Sequence, residues 1–213
     1  MIERMNAPPS TGLTRTPDWH SLVQEDVKHW LAQAVIGLNL CPFAKAVVVH
    51  DRLRYRITDA REPEQLLLVL EEELRHLASV DAQAVETTLL IAPWALPDFL
   101  DFNDFLNDCE ALLLRCELDG ELQVADFHPR YQFANTEVDD PQNLTNRAPY
   151  PVLHLLREDS IDRAVEAYPD AASIYERNIE VLQRLGHEGW AGLGIQARCP
   201  VAHSGELSKE EGA

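Results

Sequence analysis

The sequence predicts an α+β protein, a two-layer α/β sandwich with a mixed sheet of about five strands. Helical and alternating apolar patterns follow one another along the chain, which is typical of a sheet packed against helices. Two short strands in succession favour a hairpin, and predicted helices separate other strands, so the sheet should be mixed. The length of 213 residues and the hydrophobic content of 46% fit one globular domain. A three-layer arrangement is the alternative.

The first element is a helix over about residues 20–38, because apolar side chains recur there at helical spacing. Gly37 and Asn39 mark its end. Residues 46–50 and 53–58 read as two short strands, because both are rich in β-branched and aromatic side chains. The two residues between them fit the length of a hairpin turn.

The remaining elements alternate between helices and strands. A leucine- and glutamate-rich helix over 63–79 precedes an almost wholly apolar run, 87–92, which is typical of a strand buried on both faces. Asp98 is the predicted cap of a third helix. The other predicted elements are that helix to about residue 118, strands 121–127 and 152–157, a short helix to about 167, and a last helix, about 171–185, ended by Gly186.

Composition sets the domain limits and excludes several classes of partner. We expect a disordered leader over residues 1–18, a single α+β domain over 19–202 and a disordered tail over 203–213. The formal net charge of −18 disfavours binding to nucleic acids or anionic membranes. No apolar run approaches the ~20 residues of a membrane span, and no secretory signal is visible, so we expect a cytoplasmic protein. The expected partner is a small-molecule ligand, and the oligomeric state stays open.

A long irregular segment, residues 128–151, is the first candidate for a binding site, because structureless connections of over twenty residues are uncommon within a domain. Its polar and aromatic side chains suit a polar ligand. The candidate ligand-binding residues are Tyr131, Asn143, Asn146 and Arg147, with Arg157 from the following strand. The alternative is a loop whose Asn and Asp side chains satisfy its own backbone.

Two histidines follow or occupy the flanking strands. Strict alternation places Asp126 and His128 on one face of the strand over 121–128. His154 lies within the apolar strand over 152–157. If these strands are neighbours, His128 and His154 could meet on one face of the sheet. The alternative is that each is a core histidine with satisfied ring nitrogens.

Cys41 and Glu86 complete the candidate catalytic set. Pro42 is favoured at the first position of a helical turn, so Cys41 would cap a turn over 42–46 and its thiolate would be stabilised there. Alternatively Cys41 ends the first helix, where the dipole disfavours a thiolate, or it is a small packing residue. Glu86 opens the buried strand and could orient a histidine or bind a cation; a structural carboxylate is the alternative.

Several motifs resemble a bacterial family catalogued as domain of unknown function 1415, in the same order over about residues 20–190. The motifs are Asn39-Leu40-Cys41-Pro42-Phe43-Ala44, Glu86-Thr87-Thr88, Asp101-Phe102-Asn103-Asp104, Phe127-His128-Pro129, Thr145-Asn146-Arg147 and Pro149-Tyr150-Pro151 through Glu158. The resemblance implies a single-domain protein and brings no activity with it. Locally, Cys-Pro-Phe-Ala is similar to the active-site turn of omega-class glutathione transferases, which implies that this turn can hold a reactive thiol. There the cysteine follows a strand, whereas here a helix precedes it.

Three functions are compatible with these residues. The first is an enzyme acting on a small polar or anionic molecule, with Cys41 as nucleophile and His128 or His154 as general base. The second is a mononuclear zinc or iron enzyme whose ligands are Cys41, His128 and His154, with Glu86 or Asp126. The third is a non-catalytic module that binds a ligand or partner. The cofactor is therefore either none or a zinc or iron ion.

Overall fold

The computed structural model describes residues 18–167 and 173–199. The predicted leader over 1–18 lies outside the described residues except for Asp18, and the predicted tail over 203–213 lies outside them entirely. The predicted start of the last helix, residues 171–172, also lies outside.

The first helix forms as predicted and then changes its geometry. Helix α1, Trp19–Trp30, continues directly into a π-helix, Leu31–Ile36. Val23 and Val27 on its apolar stripe are fully buried, which is the packing that stabilises an amphipathic helix. Asn39 adopts a left-handed conformation with φ of 55°, so the helical path ends near the predicted residues.

The predicted strand over 46–50 is wrong, because helix α2, Ala44–Val49, occupies this position. The preceding turn is closed by a hydrogen bond from the Ala44 amide to the Cys41 carbonyl, and the helix ends with one from His50 N to Ala46 O. Strand β1, Leu53–Ile57, pairs with a later strand and not with its sequence neighbour. Valines favour strands mainly because their side chains pack well on a sheet surface. The valines of α2 do not lie in the sheet, and their backbone forms local helical hydrogen bonds instead.

The later elements follow the predicted order. They are α3 (Pro63–Ser79), β2 (Thr87–Ile91), α4 (Phe99–Arg115), β3 (Leu122–Phe127), a 3₁₀-helix (Pro141–Asn146), β4 (Val152–Arg157), α5 (Glu158–Ala167) and α6 (Ser173–Gly192). Asp98 caps α4 as predicted, since its Oδ1 accepts a hydrogen bond from Leu100 N at 2.9 Å. Gly186, with φ of 63° and ψ of −179°, is not helical, so it ends the first of the two helical segments of α6, as predicted.

The four strands form one mixed sheet in the order β1-β2-β4-β3. Strands β1 and β2 are parallel, and β4 is antiparallel to both β2 and β3. The prediction of a mixed α/β architecture with helical crossovers is confirmed. Because β4 comes last in the chain and inserts between β2 and β3, residues far apart in sequence become neighbours at the centre of the sheet.

Helices pack on both faces of the sheet. Helices α3 and α4 cover the face that carries Leu90, Leu153 and Leu155. Helix α1, the π-helix and part of α6 cover the face that carries Leu89 and Val152. The first set forms the predicted α/β sandwich, and the second adds the third layer that the sequence left open. No helix among residues 18–167 and 173–199 is both long and apolar enough to cross a membrane.

Candidate functional site

A cavity of about 550 Å³ lies on the α1 side of the sheet, within the range of small-molecule sites. The sheet forms its floor, and the end of α1, the π-helix, α2 and α5 form its walls. Most of the lining is apolar. The larger apolar side chains are Trp30, Leu31, Val35, Phe43, Leu53, Leu89, Phe127, Leu156 and Ile161.

The strand register places His154 in the middle of the cavity floor. His154 pairs with Leu89 of β2 on one side and with Ala125 of β3 on the other. Two residues along β4, Leu156 pairs with Gln123 at the polar end of the floor. Thus alternate residues of three strands face the cavity, as expected for one side of a pleated sheet.

Cys41 enters the cavity from the wall, immediately after the π-helix. The Cys41 amide donates to the Val35 carbonyl at 3.3 Å, which ties the residue back to the π-helix. Asn178 of α6 donates from Nδ2 to the Leu40 carbonyl at 2.8 Å and fixes the preceding residue. The thiol is free and partly buried. Segments of π-helix are often found at functional sites, where the widened turn redirects the chain.

The His154 ring is held by packing. Its centroid lies 6.2 Å from that of Phe127. Neither ring nitrogen has a hydrogen-bond partner among the described residues, although the ring lines the cavity. Burial lowers the pKa of His154 to about 4. The imidazole is therefore uncharged at neutral pH, and a nitrogen lone pair remains available to a ligand or to a neighbouring proton donor.

Glu86 lines the same cavity and is engaged by an arginine that the sequence did not single out. Arg52 Nη1 lies 2.9 Å from Glu86 Oε2, and the two side chains are only 19% and 15% exposed. The Glu86 amide also donates to the Arg52 carbonyl at 2.9 Å. Within the described residues no hydrogen bond joins Glu86 to His154, so the orienting role predicted for Glu86 stays a prediction.

His128 lies in a different part of the protein. It follows the end of β3, packs against Phe99 and Phe102, and is 1% exposed. Its Nδ1 accepts from the Arg130 amide at 3.0 Å, and its Nε2 lies 3.2 Å from the Leu96 carbonyl. Burial lowers the pKa of His128 to about 4. Both ring nitrogens are used within the core, as expected for a structural histidine.

The register explains why the two histidines do not meet. Ala125 is the β3 residue beside His154, whereas Asp126 pairs with Leu153 on the opposite face of the sheet. His128 follows β3 and packs against Phe99 and Phe102 on the Asp126 face, so the sheet separates it from His154. Cys41, Glu86 and His154 are therefore brought to one cavity, and His128 is not.

The candidate ligand-binding residues of the long loop satisfy its backbone. Asn143 is fully buried, accepts from the Phe133 amide at 2.9 Å and donates to the Glu137 carbonyl at 2.8 Å. Asn146 donates to the Asp126 carbonyl at 3.1 Å. These contacts match the alternative reading, in which the loop's own amides organise it.

Arg147 and Tyr131 belong to the same loop framework. Arg147 donates to the carbonyl groups of Tyr131 and Val138 at 3.2 and 2.8 Å. Tyr131 packs against Phe99, and burial raises its pKa to about 12. Neither residue lines the Cys41 cavity. A ligand role for these loop residues stays a prediction.

Arg157 lies at the edge of the cavity, with its guanidinium engaged elsewhere. Nη2 donates to the carbonyl groups of Leu77, Val80 and Val85 at 2.7, 2.8 and 3.1 Å. These groups lie at and after the C-terminal end of α3, where a cation stabilises the helix dipole. Arg157 Nη2 thus binds backbone carbonyl groups and, among the described residues, no carboxylate.

The described residues contain no group of three or more His, Cys, Asp and Glu side chains that could hold one metal ion. Cys41 and His154 line the cavity, whereas His128 packs in the α4 layer with both nitrogens occupied. The ligand set predicted for a zinc or iron site is thus divided between two parts of the protein.

The sequence missed Arg52, Gln123 and Asn178. Arg52 and Glu86 each stand one residue before a strand, and the parallel pairing of β1 with β2 brings them together. The ion pair between Arg52 and Glu86 could be predicted only if β1 were paired with β2 and not with residues 46–50. Asn178 gave no signal, because a single asparagine in a helix is usually solvated.

Comparison with known proteins places the chain in a family. No curated protein and no solved structure matches it. A family model described as a protein of unknown function, DUF1415, matches residues 22–192, a range that contains Cys41, Glu86 and His154. The chain therefore belongs to the DUF1415 family of proteins of unknown function.

Proposed function

We propose that the protein is an enzyme that acts on a small molecule, with Cys41 as nucleophile and His154 as general base. The observation that carries this proposal is that a free thiol and an imidazole without a hydrogen-bond partner, among the described residues, line one largely apolar cavity. Perturbed histidines in such cavities are typical of catalytic sites. His128 takes no part, because its nitrogens are occupied in the core.

The chemistry of the site is nucleophilic substitution at an electrophilic carbon. The Cys41 sulfur forms a bond to that carbon, and the thiol proton moves to a free nitrogen of His154. Because the pKa of His154 is about 4, the ring is uncharged in the resting protein and can accept the proton. The same low value makes the imidazole a weak base, so the proton moves as the sulfur attacks. The bond between the carbon and its leaving group then breaks, and the leaving group takes the proton from His154.

The apolar walls of the cavity favour a substrate that is itself partly apolar over a purely polar molecule. Burying an apolar body against Trp30, Phe127 and Leu89 supplies binding free energy, at about 25 cal/mol per Å² removed from water. The substrate is therefore a small organic molecule with an apolar part and a reactive polar group. Orientation comes from the few polar residues at one end of the floor.

The other two functions make different predictions. A zinc or iron enzyme needs further ligands beside Cys41 and His154, and the described residues supply no three-ligand group. A non-catalytic binding module uses the same cavity with Cys41 as a packing residue. A thiol that reacts no faster than a reference thiol would favour this second alternative.

The test is the rate at which iodoacetamide alkylates each thiol in the native protein at pH 7, followed by mass spectrometry of peptides. Cys116, which is also partly buried, is the reference thiol, and Cys109, whose pKa burial raises to about 12, should be inert. We expect Cys41 to react at least about tenfold faster than Cys116.

The variant His154→Gln should remove most of this difference, whereas His50→Gln, at an exposed histidine that does not line the cavity, should not. Equal rates at Cys41 and Cys116, or an unchanged Cys41 rate in His154→Gln, would overturn the proposal. Circular dichroism of each variant separates a loss of reactivity from a loss of folding.

A further inference from the structure

The cavity is polar at one end and apolar at the other. Its polar end lies where β1 and β2 begin and β4 ends, and it is formed by Arg52, Glu86, Gln123 and Ser160. Residues two apart on one face of a strand are separated by about 6.6 Å. From Leu156 at this end, His154 is thus one such step into the cavity, and apolar side chains line the region beyond it.

Arg52 has hydrogen-bonding capacity that the protein does not use. A guanidinium carries five N–H donors. In the described part of the chain, its one hydrogen bond runs from Nη1 to Glu86, and its buried Nε has no partner. A carboxylate within the cavity offers these donors an acceptor, and arginine binds carboxylates through two parallel hydrogen bonds.

The charges that line the cavity favour an anion. Two are positive, Arg52 and Arg157, and one is negative, Glu86. Arg157, at the edge of the cavity, donates to backbone carbonyl groups at the end of α3 and is paired with no carboxylate within the described residues. This excess of one positive charge stands out in a chain with a formal net charge of −18.

We propose that the ligand of this cavity is an amphiphilic carboxylate, with its carboxylate at Arg52 and its apolar body along the floor past His154. The inference rests on the proposed function for the choice of cavity, and it adds the class of substrate. Arg52 precedes the paired Leu53 and Thr87 at the polar end, whereas His154 pairs with Leu89 two residues farther along β2, so the imidazole lies deeper in the cavity. The reacting carbon is therefore one within the body of the substrate, several bonds from its carboxylate.

Isothermal titration calorimetry with octanoate and with its neutral analogue octanamide tests this assignment on the intact protein. We expect octanoate to bind at least about tenfold more tightly, since a hydrogen bond to a charged group contributes that much or more. Arg52→Gln should abolish the preference by weakening octanoate alone. Arg56→Gln, at an arginine of β1 that lies outside the cavity, should keep it.

Glu86→Gln provides a second variant with the opposite sign. It removes the competing carboxylate and frees Arg52, so octanoate should bind several-fold more tightly while octanamide is unchanged. Failure of wild type to bind octanoate, equal affinities for both probes, or an octanoate affinity that Glu86→Gln leaves unchanged or weakens would overturn the inference. Because thiol alkylation is read out separately, a reactive Cys41 with no octanoate preference rejects the carboxylate alone, and the reverse result rejects the nucleophile alone.

Discussion

Gly37 is the residue at which a single methyl group should disturb the position of Cys41. Its φ of −62° and ψ of −41° suit any residue, so its need for glycine is one of space. An added Cβ would lie 2.9 Å from Ala32 O and closer still to Gln33 O, about half an ångström or more short of ordinary contact, which begins at 3.4 Å. The carbonyl groups belong to the π-helix backbone and cannot rotate away as a side chain would.

The expected loss of stability in Gly37→Ala follows from two opposing effects. Overpacking costs about 1–3 kcal/mol. Replacing glycine with alanine in helical backbone returns about 0.5–1 kcal/mol. We therefore expect the free energy of unfolding to fall by about 1–2 kcal/mol, measured by urea denaturation. Because Cys41 follows four residues later and its amide bonds to the π-helix, its alkylation rate should also fall.

Gly192→Ala is the matched control. Gly192 ends α6, and nothing lies within 4 Å of an added Cβ there. This variant should be as stable as wild type or up to about 1 kcal/mol more stable, with an unchanged Cys41 rate. A Gly37→Ala protein that matched wild type in both stability and Cys41 reactivity would refute the argument that the π-helix sets the position of the thiol.

Three further predictions concern pH and buried carboxylates. His128 and His154 each have a pKa of about 4 in the folded protein, against about 6.5 unfolded, so the unfolded chain binds more protons between these values. The two neutral histidines therefore lower the free energy of unfolding as the pH drops from 6.5 towards 4, by up to about 3 kcal/mol each. When this free energy is measured by urea denaturation at several pH values, its fall with pH in His154→Gln should be about half that of wild type. Glu73→Gln weakens the ion pairs to two arginines of β1 and should lower the free energy of unfolding by about 1–3 kcal/mol, because the carboxylate is buried while its partners are partly exposed. A loss below about 0.5 kcal/mol, roughly that of an exposed pair, would contradict this. Asp26→Asn weakens hydrogen bonds from Tyr150 and from the backbone and side chain of Arg198, so the melting temperature of the variant should fall, by about 2–4 °C per kcal/mol lost in a chain of this length.

Much of the fold could be predicted from local patterns. Helix α3 begins at the predicted proline and ends at the predicted residue, because its apolar spacing and its residues at the start and end all indicate the same helix. Strand β2 is buried along its whole length, as an apolar run implies. The prediction of a strand over 46–50 is wrong for a local reason: three successive valines fit a strand pattern, but the turn after Cys41 starts a helix.

The candidate site could be predicted only in part, because its geometry depends on pairing between distant strands. Cys41, Glu86 and His154 were each identified from their residue type and position, and the structure brings all three to one cavity. The insertion of β4 between β2 and β3 decides which residues lie beside His154, and nothing local encodes it. The expectation that His128 joins them fails because β4 pairs His154 with Ala125, which puts His154 on the face opposite Asp126 and His128.

The most direct test of the account is a pre-steady-state assay with the mono-p-nitrophenyl ester of a medium-chain dicarboxylic acid, which keeps one free carboxylate at the end away from the ester carbon. If Cys41 is the nucleophile, wild type should release a burst of p-nitrophenol close to one equivalent, with a matching acyl adduct on Cys41 in the mass spectrum. His154→Gln should slow the burst by about 10²-fold or more, the contribution of a general base. A burst that persists in Cys41→Ser, or an adduct on another residue, would contradict the account.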